Sequence, residues 1–491
     1  MGEAQKLPFK PVFNGSVSVE ARPERLTAEA GALLLREIDE RLGVTRWLAE
    51  RLEDGRNQDL VTHPFEELLR TSILLKAQGW RDQDDADHLR DDPALRLSVS
   101  ERRGDAALKP APPVKDDPET TERVPEGLSS QPTQSRLIKA LSERHNRDGL
   151  REGVFESASR RLMAMHGHKK RYVTMDVDSI PIDVWGNQDG AEYNGYYHRK
   201  VFHPMVANIA ENGDLLGLRL RPGKAHTANG AVSFILPLID RLERQFAQVV
   251  SIRFDAGFPE PEVLDELEQR RIGYACRLKK NSVLDRLAEP YVRRPVGRRP
   301  HKPRIWFHEL VYRADSWSHE RRVVLVVKER PDDLFLDYFF LLTNWSAEEM
   351  PAEDLLDFYR KRGTAENYYG ELINVLAPAL SCTTRQKSHY RGQEPSRRYP
   401  PGASFLANEV TLLLAAIAYN LMHAARLMLS PKRGPQMSLK RLREQVLHAP
   451  ARLLLSGRYI TLVIGQGYRK LWLKICRKIS TLNRLPAALP G

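Results

Sequence analysis

Residues 172–178, YVTMDVD, and residues 249–255, VVSIRFD, decide how this chain is read. The first alternates, the second runs apolar, both are rich in β-branched residues, and both end on an aspartate. Val201–Ile209 and Leu215–Leu220 are two further candidate strands, near enough in sequence to form a meander with the first. Thr227–Phe246 then places Ile235, Leu236, Leu238, Ile239 and Leu242 at helical spacing. Pro261–Arg271 predicts a short helix and Ile272–Leu278 another strand. The expected order is β-β-β-α-β-α-β, antiparallel first and parallel later.

That is the order of the ribonuclease H-like fold. The expectation is therefore an α/β protein with a ribonuclease H-like catalytic core interrupted by an all-β insertion, a helical N-terminal domain and a basic helical C-terminal tail. Residues 1–100 form the N-terminal domain in this reading, with helical spacing from Leu33 to Leu52 and again from Pro64 to Leu74. Residues 101–135 are a linker, with Pro110, Pro112, Pro113, Pro118, Pro125 and Pro132 among charges. The core spans 136–290 and 351–430. Between its halves, 291–350 holds the β runs Ile305–Tyr312, Arg322–Lys328 and Phe335–Thr343.

Charge separates the ends from the middle. The 491 residues carry a formal net charge of +12. Residues 425–491 hold fourteen Lys/Arg against Glu444 alone, which is +13 and leaves −1 for residues 1–424. A basic terminal region, 431–491, on a near-neutral body points to a polyanion, most commonly nucleic acid. Cys276, Cys382 and Cys476 are dispersed, which excludes a disulfide scaffold and a zinc finger and fits a reducing cytoplasm. The opening MGEAQKLPFKPVF has no apolar run, so no secretory signal is expected. Val410–Leu429 is apolar but interrupted by Asn420, His423 and Arg426, and reads as a core helix with no membrane partner.

Three acids stand out by position: Asp178 and Asp255 at strand ends, and Glu366 on a helix in RKRGTAENYYGEL. Strand ends are where open sheets place reactive groups. Carboxylates from three elements can converge on hard divalent cations, and two such ions roughly 4 Å apart clamp an in-line phosphoryl transfer. Each acid also has an ordinary reading. An aspartate ending a strand can serve a turn or cap, and Glu366 stands four residues after Arg362, at ion-pair spacing. Asp176 shares a strand face with Asp178 and competes for the first position.

Tyr359-x-x-Arg362-x-x-x-Glu366 resembles the Y-(2)-R-(3)-E signature of DDE transposases from bacterial insertion sequences. FDAGF around Asp255, followed by GYACRLKKN at Gly273–Asn281, is similar to that family's second-aspartate block. Gly79–Leu95, Ser129–Arg136, Ser381-Cys382, Phe405–Asn408 and Ala418–Leu421 resemble further blocks, so the likeness covers roughly residues 20–430. Asp178-Ser179 matches the family's first block better than Asp176 does. The chain departs from the family where a lysine is usual seven positions after the glutamate, having Ile373, and has Ile180 two residues past the first aspartate.

The resemblance implies a cut-and-paste DNA transposase. In it Asp178, Asp255 and Glu366 are catalytic and hold two Mg²⁺, with Mn²⁺ as substitute. Tyr359 and Arg362 act on the DNA backbone. The partners implied are double-stranded DNA, as terminal inverted repeats and as target, and a second copy of the chain in a dimer on DNA; the location implied is cytoplasmic, at the nucleoid. Arg298, Arg299 and Lys302, in a basic run from Arg293 to Arg304, are further candidate DNA contacts. A transposase-derived DNA-binding protein without strand transfer, motivated by Ile373, and a structure-specific nuclease are the alternatives.

Overall fold

The computed structural model describes residues 5–6, 11–21, 24–109, 127–167, 171–184, 186, 188–245, 247–298, 300–382, 403–431, 436–457 and 459–486. Arg299, most of the linker and the 383–401 loop lie outside them. The chain divides into two compact units, residues 1–41, 53–140 and 421–482 in one, and residues 42–52, 141–420 and 483–491 in the other.

The larger unit is built on an eight-stranded sheet. Its strands are β1 (Arg171–Ser179), β2 (Met205–Ile209), β3 (Leu215–Arg219), β4 (Ala247–Phe254), β5 (Gly273–Leu278), β6 (Arg304–Tyr312), β7 (Arg321–Glu329) and β8 (Asp337–Thr343). Their order across the sheet is β6-β7-β8-β5-β4-β1-β2-β3. β1, β2 and β3 form the antiparallel meander, and β4 runs parallel to both β1 and β5. The single strand expected over Val201–Ile209 is broken at His203-Pro204, giving a short strand Arg199–Phe202 that pairs away from the main sheet. Proline has no amide to donate, so pairing stops there.

The three strands of 291–350 extend this same sheet through β8, which pairs antiparallel with β5. Helices cover both faces. Helix α1 (Arg144–His166), α2 (Val232–Gln245) and α3 (Pro261–Gln269) contribute Phe155, Ile235, Ile239, Leu264 and Leu267 to the one core that holds Val173, Met175 and Val177 of β1. On the opposite face α4 (Ala352–Arg360) sets Leu355 and Leu356 against Ala275, Val324 and Leu341. α5 (Gly363–Glu371) follows it directly. Burial on both faces explains the near-continuous apolar reading of β4 and β7. Trp306 and Trp317 pack on the first core and Trp345 on the second.

The helix α6 (Ala403–Leu429) is long and apolar enough to cross a membrane, and 94% of its most apolar window is buried within the protein. Its Asn420 accepts from the Leu215 amide at 3.1 Å and donates to the Leu215 carbonyl at 2.9 Å and to Ser157 Oγ at 2.8 Å. One amide side chain thus satisfies backbone groups on the edge strand β3, which a buried edge requires.

The smaller unit is helical over Phe65–Gln78, Pro93–Val99 and Gln131–Leu141. Its basic C-terminal region corrects the expectation of a helical tail. Ala451–Ser456 and Tyr459–Ile464 form an antiparallel hairpin before the helix Arg469–Ser480. Leu453 is buried and Leu455, Ile460 and Leu462 are half-buried, alternating with exposed neighbours, and Gly457 takes a φ of +59° at the turn, a conformation glycine adopts freely.

Candidate active site

β1 and β4 are parallel neighbours, with Asp176 opposite Arg253 and Val177 opposite Phe254. Asp178 is the next residue of β1 and Asp255 directly follows β4, so both emerge at the C-terminal ends of neighbouring strands. Alternation puts Asp176, Asp178, Arg253 and Asp255 on one face. On that face Arg253 donates to both Asp176 carboxylate oxygens, at 2.6 and 2.7 Å, and to the Phe358 carbonyl at 2.9 Å. Asp176 is 1% exposed and engaged in this pair, whereas the Asp178 carboxylate, 14% exposed, meets Arg362.

Glu366 lies in the first turn of α5. The helix is fixed from below by Tyr369, whose buried hydroxyl donates to Asn208 of β2 and lies 3.4 Å from the Asp176 carbonyl. Tyr368 lies over Gly213, where a Cβ would come 2.5 Å from its ring, so this turn has room only for glycine. The Arg362 guanidinium spans the acids. It donates to Asp178 Oδ2 at 2.5 Å and to Glu366 Oε1 at 3.1 Å. Arg362 therefore makes the helical i,i+4 pair with Glu366 and, through the same group, a pair with an aspartate on β1.

The electrostatics follow from this crowding. Burial raises the Asp178 carboxyl to about 6; the Arg362 charge and the Ser179 amide oppose the rise, and nearby Asp255 adds to it. Burial works against charge on Arg362, yet Asp178, Tyr359, Asp255 and Glu366 together hold its pKa above the ordinary value. All three acids thus share the field of one cation.

Residues 9–392 match the family described as Transposase DDE domain group 1. The chain belongs to that family. No match was found among curated proteins. Among solved structures, it is similar to the piggyBac transposase of a cryo-EM synaptic complex with hairpin DNA, at 12% identity and a TM-score of 0.39, covering 94% of this chain and 86% of that one.

In this DDE transposase-family chain a cleft of about 610 Å³ opens beside Asp255. Tyr193, Tyr196 and Tyr197 line it together with Lys224, Arg277, Lys279 and Lys280. Tyr196 and Tyr197 stand edge to face at 5.0 Å, and Tyr197 meets His203 at 5.7 Å. Of the basic run at 293–304, Arg294 and Arg304 are paired with the buried Glu329, at 3.3 and 2.8 Å. Arg298 and Lys302 are exposed. Tyr359 is half-buried, with the Arg362 guanidinium 5.8 Å from its ring centre.

Among the described residues, the group of acids and histidine that brings one ligand atom each within 4.8 Å is Asp265, Glu268 and His319, away from this site. Arg321 pairs with Asp265 and, at 2.7 Å, with Glu268, so that group already has its cation. Asp178, Asp255 and Glu366 are not drawn that close; the guanidinium stands between two of them. Sequence reasoning missed Arg253 and Tyr369. Arg253 is a cation inside an otherwise apolar strand, directly before Phe-Asp, and that misplaced charge was the available signal.

Proposed function

We propose that the chain is a DNA transposase of a bacterial insertion sequence, with a ribonuclease H-like core, that cuts at the ends of its element and joins them to target DNA as a dimer. The observation that carries this reading is the placing of Asp178 and Asp255 at the ends of two parallel neighbouring strands, with Arg362 bridging Asp178 to Glu366 on the helix.

The donor set fits a hard divalent metal. It is all carboxylate oxygen, drawn from three elements, and it already gathers around a positive charge. Asp178, Asp255 and Glu366 would hold the metal, and a bound Mg²⁺ or Mn²⁺ supplies charge neutralisation at the scissile phosphate and activation of the attacking oxygen. The protein's share is placement. Water attacks the end phosphodiester and the 3′-oxygen leaves as a hydroxyl; that hydroxyl then attacks a target phosphodiester, losing its proton as the target's own 3′-oxygen leaves. Both steps need in-line geometry above all. Tyr359 and Arg362, beside the acids, position the DNA backbone, and the Tyr- and Lys-lined cleft receives strand next to Asp255. The exposed Arg298 and Lys302 add backbone contacts.

The test is incubation of the protein with DNA bearing short inverted repeats flanking its gene, with and without Mg²⁺, with binding measured in parallel. Metal-dependent nicking at the repeat boundary supports the reading. Specific binding with no nicking supports instead a transposase-derived DNA-binding protein.

Two further results are expected. Asp178 titrates near pH 6 in the metal-free protein. Because its folded pKa lies above that of the unfolded chain, this group favours the folded state more as the pH drops from about 6 to the ordinary carboxylate range. Metal competes with that proton, so Mn²⁺ affinity should fall by about tenfold per unit below pH 6. Affinity unchanged between pH 7 and 5 would contradict the ligand role.

The second concerns the basic end. The helix Arg469–Ser480 buries Trp472, Ile475 and Ile479 and exposes Arg469, Lys470, Arg477 and Lys478. Removing 431–491 would strip core from the smaller unit, so neutralisation to glutamine is the proper test. If all four reach phosphates, the slope of log K against log salt flattens by about 3.6. An unchanged slope assigns this face another role.

A further inference from the structure

Arg221 is 5% exposed and lies two residues beyond β3. Its guanidinium makes five hydrogen bonds, none to a carboxylate. Nε donates to the His203 carbonyl at 2.9 Å. Nη1 donates to the carbonyls of His226, Thr227 and Asn229 at 3.2, 2.8 and 3.0 Å. Nη2 donates to Ser179 Oγ at 2.7 Å. Burial pushes its pKa down to about 10, and neighbouring Arg219 adds to the fall. A buried arginine without an acid is expensive to keep, so its position calls for a reason.

The reason lies in what those oxygens belong to. Ser179 is the residue after Asp178, and its amide donates to Asp178 Oδ1 at 2.8 Å. The 226–229 loop faces the other aspartate. Thr227 lies against Gly257, two residues after Asp255, so closely that a Cβ on Gly257 would come 2.4 Å from the Thr227 Cβ. One guanidinium therefore ties the segment behind Asp178 to the loop that abuts the segment behind Asp255.

We propose that Arg221 is a positioning residue that sets the separation of Asp178 and Asp255 and so tunes their joint affinity for a divalent cation. This rests on the reading of those aspartates as metal ligands. Groups behind metal ligands commonly change affinity by about 10–100-fold when removed.

The experiment measures Mn²⁺ binding to the full chain without DNA, by electron paramagnetic resonance of the free ion, alongside thermal unfolding. Arg221→Lys keeps the charge but cannot span all five acceptors, and should weaken Mn²⁺ binding by about 10–100-fold. Ser179→Ala cuts only the link to β1; it should weaken binding by about tenfold and leave the melting temperature within a few degrees of wild type. Ser179→Ala decides the matter if Arg221→Lys fails to fold. Wild-type affinity in folded Ser179→Ala overturns the proposal. Asp255→Ala is the control: if it binds Mn²⁺ like wild type, the metal-site reading itself fails, independently of Arg221.

Discussion

Asp178→Ala, Asp255→Ala and Glu366→Ala each lose at least about a thousandfold in metal-dependent cleavage, about 4 kcal/mol in the barrier, while end-DNA binding stays within a few-fold of wild type. The reasoning is local. Each acid stands on a different element, so no neighbour can replace it. Asp178 and Asp255 are fixed by the register of two parallel strands, and Glu366 by a helix that Tyr369 anchors to β2. The Glu366 carboxylate is not spent on the core. Glu366 is 61% exposed at its side chain, and its exposed ion pair with Arg362 is worth at most about 0.5 kcal/mol. Stability should therefore barely move in Glu366→Ala, and lost activity there reports chemistry. The check is single-turnover cleavage in Mg²⁺ with binding by gel shift and melting by calorimetry. Full cleavage by Asp178→Ala would move the first position to Asp176 or sink the metal-site reading; full cleavage by Glu366→Ala would remove α5 from the site.

How much of this was legible follows from what sequence periodicity records. Alternation in YVTMDVD and the apolar run in VVSIRFD marked two strands, and their terminal aspartates fall at the same end of the sheet because parallel neighbours end together. The spacing of Arg362 and Glu366 marked an ion pair, and it forms. Periodicity reports which face is buried but not which residue lies opposite on another element. Arg362 reaching Asp178, 184 positions away, had no local signature. Neither did the joining of 304–343 to the central sheet through β8, since a strand's pattern is the same in a sheet of its own. The C-terminal hairpin was obscured by charge: fourteen Lys/Arg drew the reading toward a tail, although ARLLLS and YITLVI alternate.

Arg253→Met should destabilise the larger unit by about 3–5 kcal/mol, because it leaves Asp176 as a buried charge without its partner. Asp176 is 1% exposed and Arg253 3% exposed, and both carboxylate oxygens accept from the same guanidinium. Burial already raises the Asp176 carboxyl above its ordinary range with Arg253 opposing the rise, so losing that charge lifts it further. The sign fixes the pH dependence. With the folded pKa raised above the unfolded one, the variant binds extra protons on folding, and its stability falls as pH rises between the two values. The loss measured at pH 8 should exceed that at pH 5. Removing both charges together, as Asp176→Leu with Arg253→Met, should restore part of the stability, since an apolar pair leaves no orphaned charge. Activity need not return with it. Arg253 also donates to the Phe358 carbonyl, in the helix just before Tyr359 and Arg362, and its guanidinium lies 5.2 Å from the Phe358 ring centre. This one side chain joins β1, β4 and the segment leading to Glu366. A double variant that melts like wild type yet cleaves poorly would show that the ion pair aligns the three acids; equal recovery of both would make it a packing element alone.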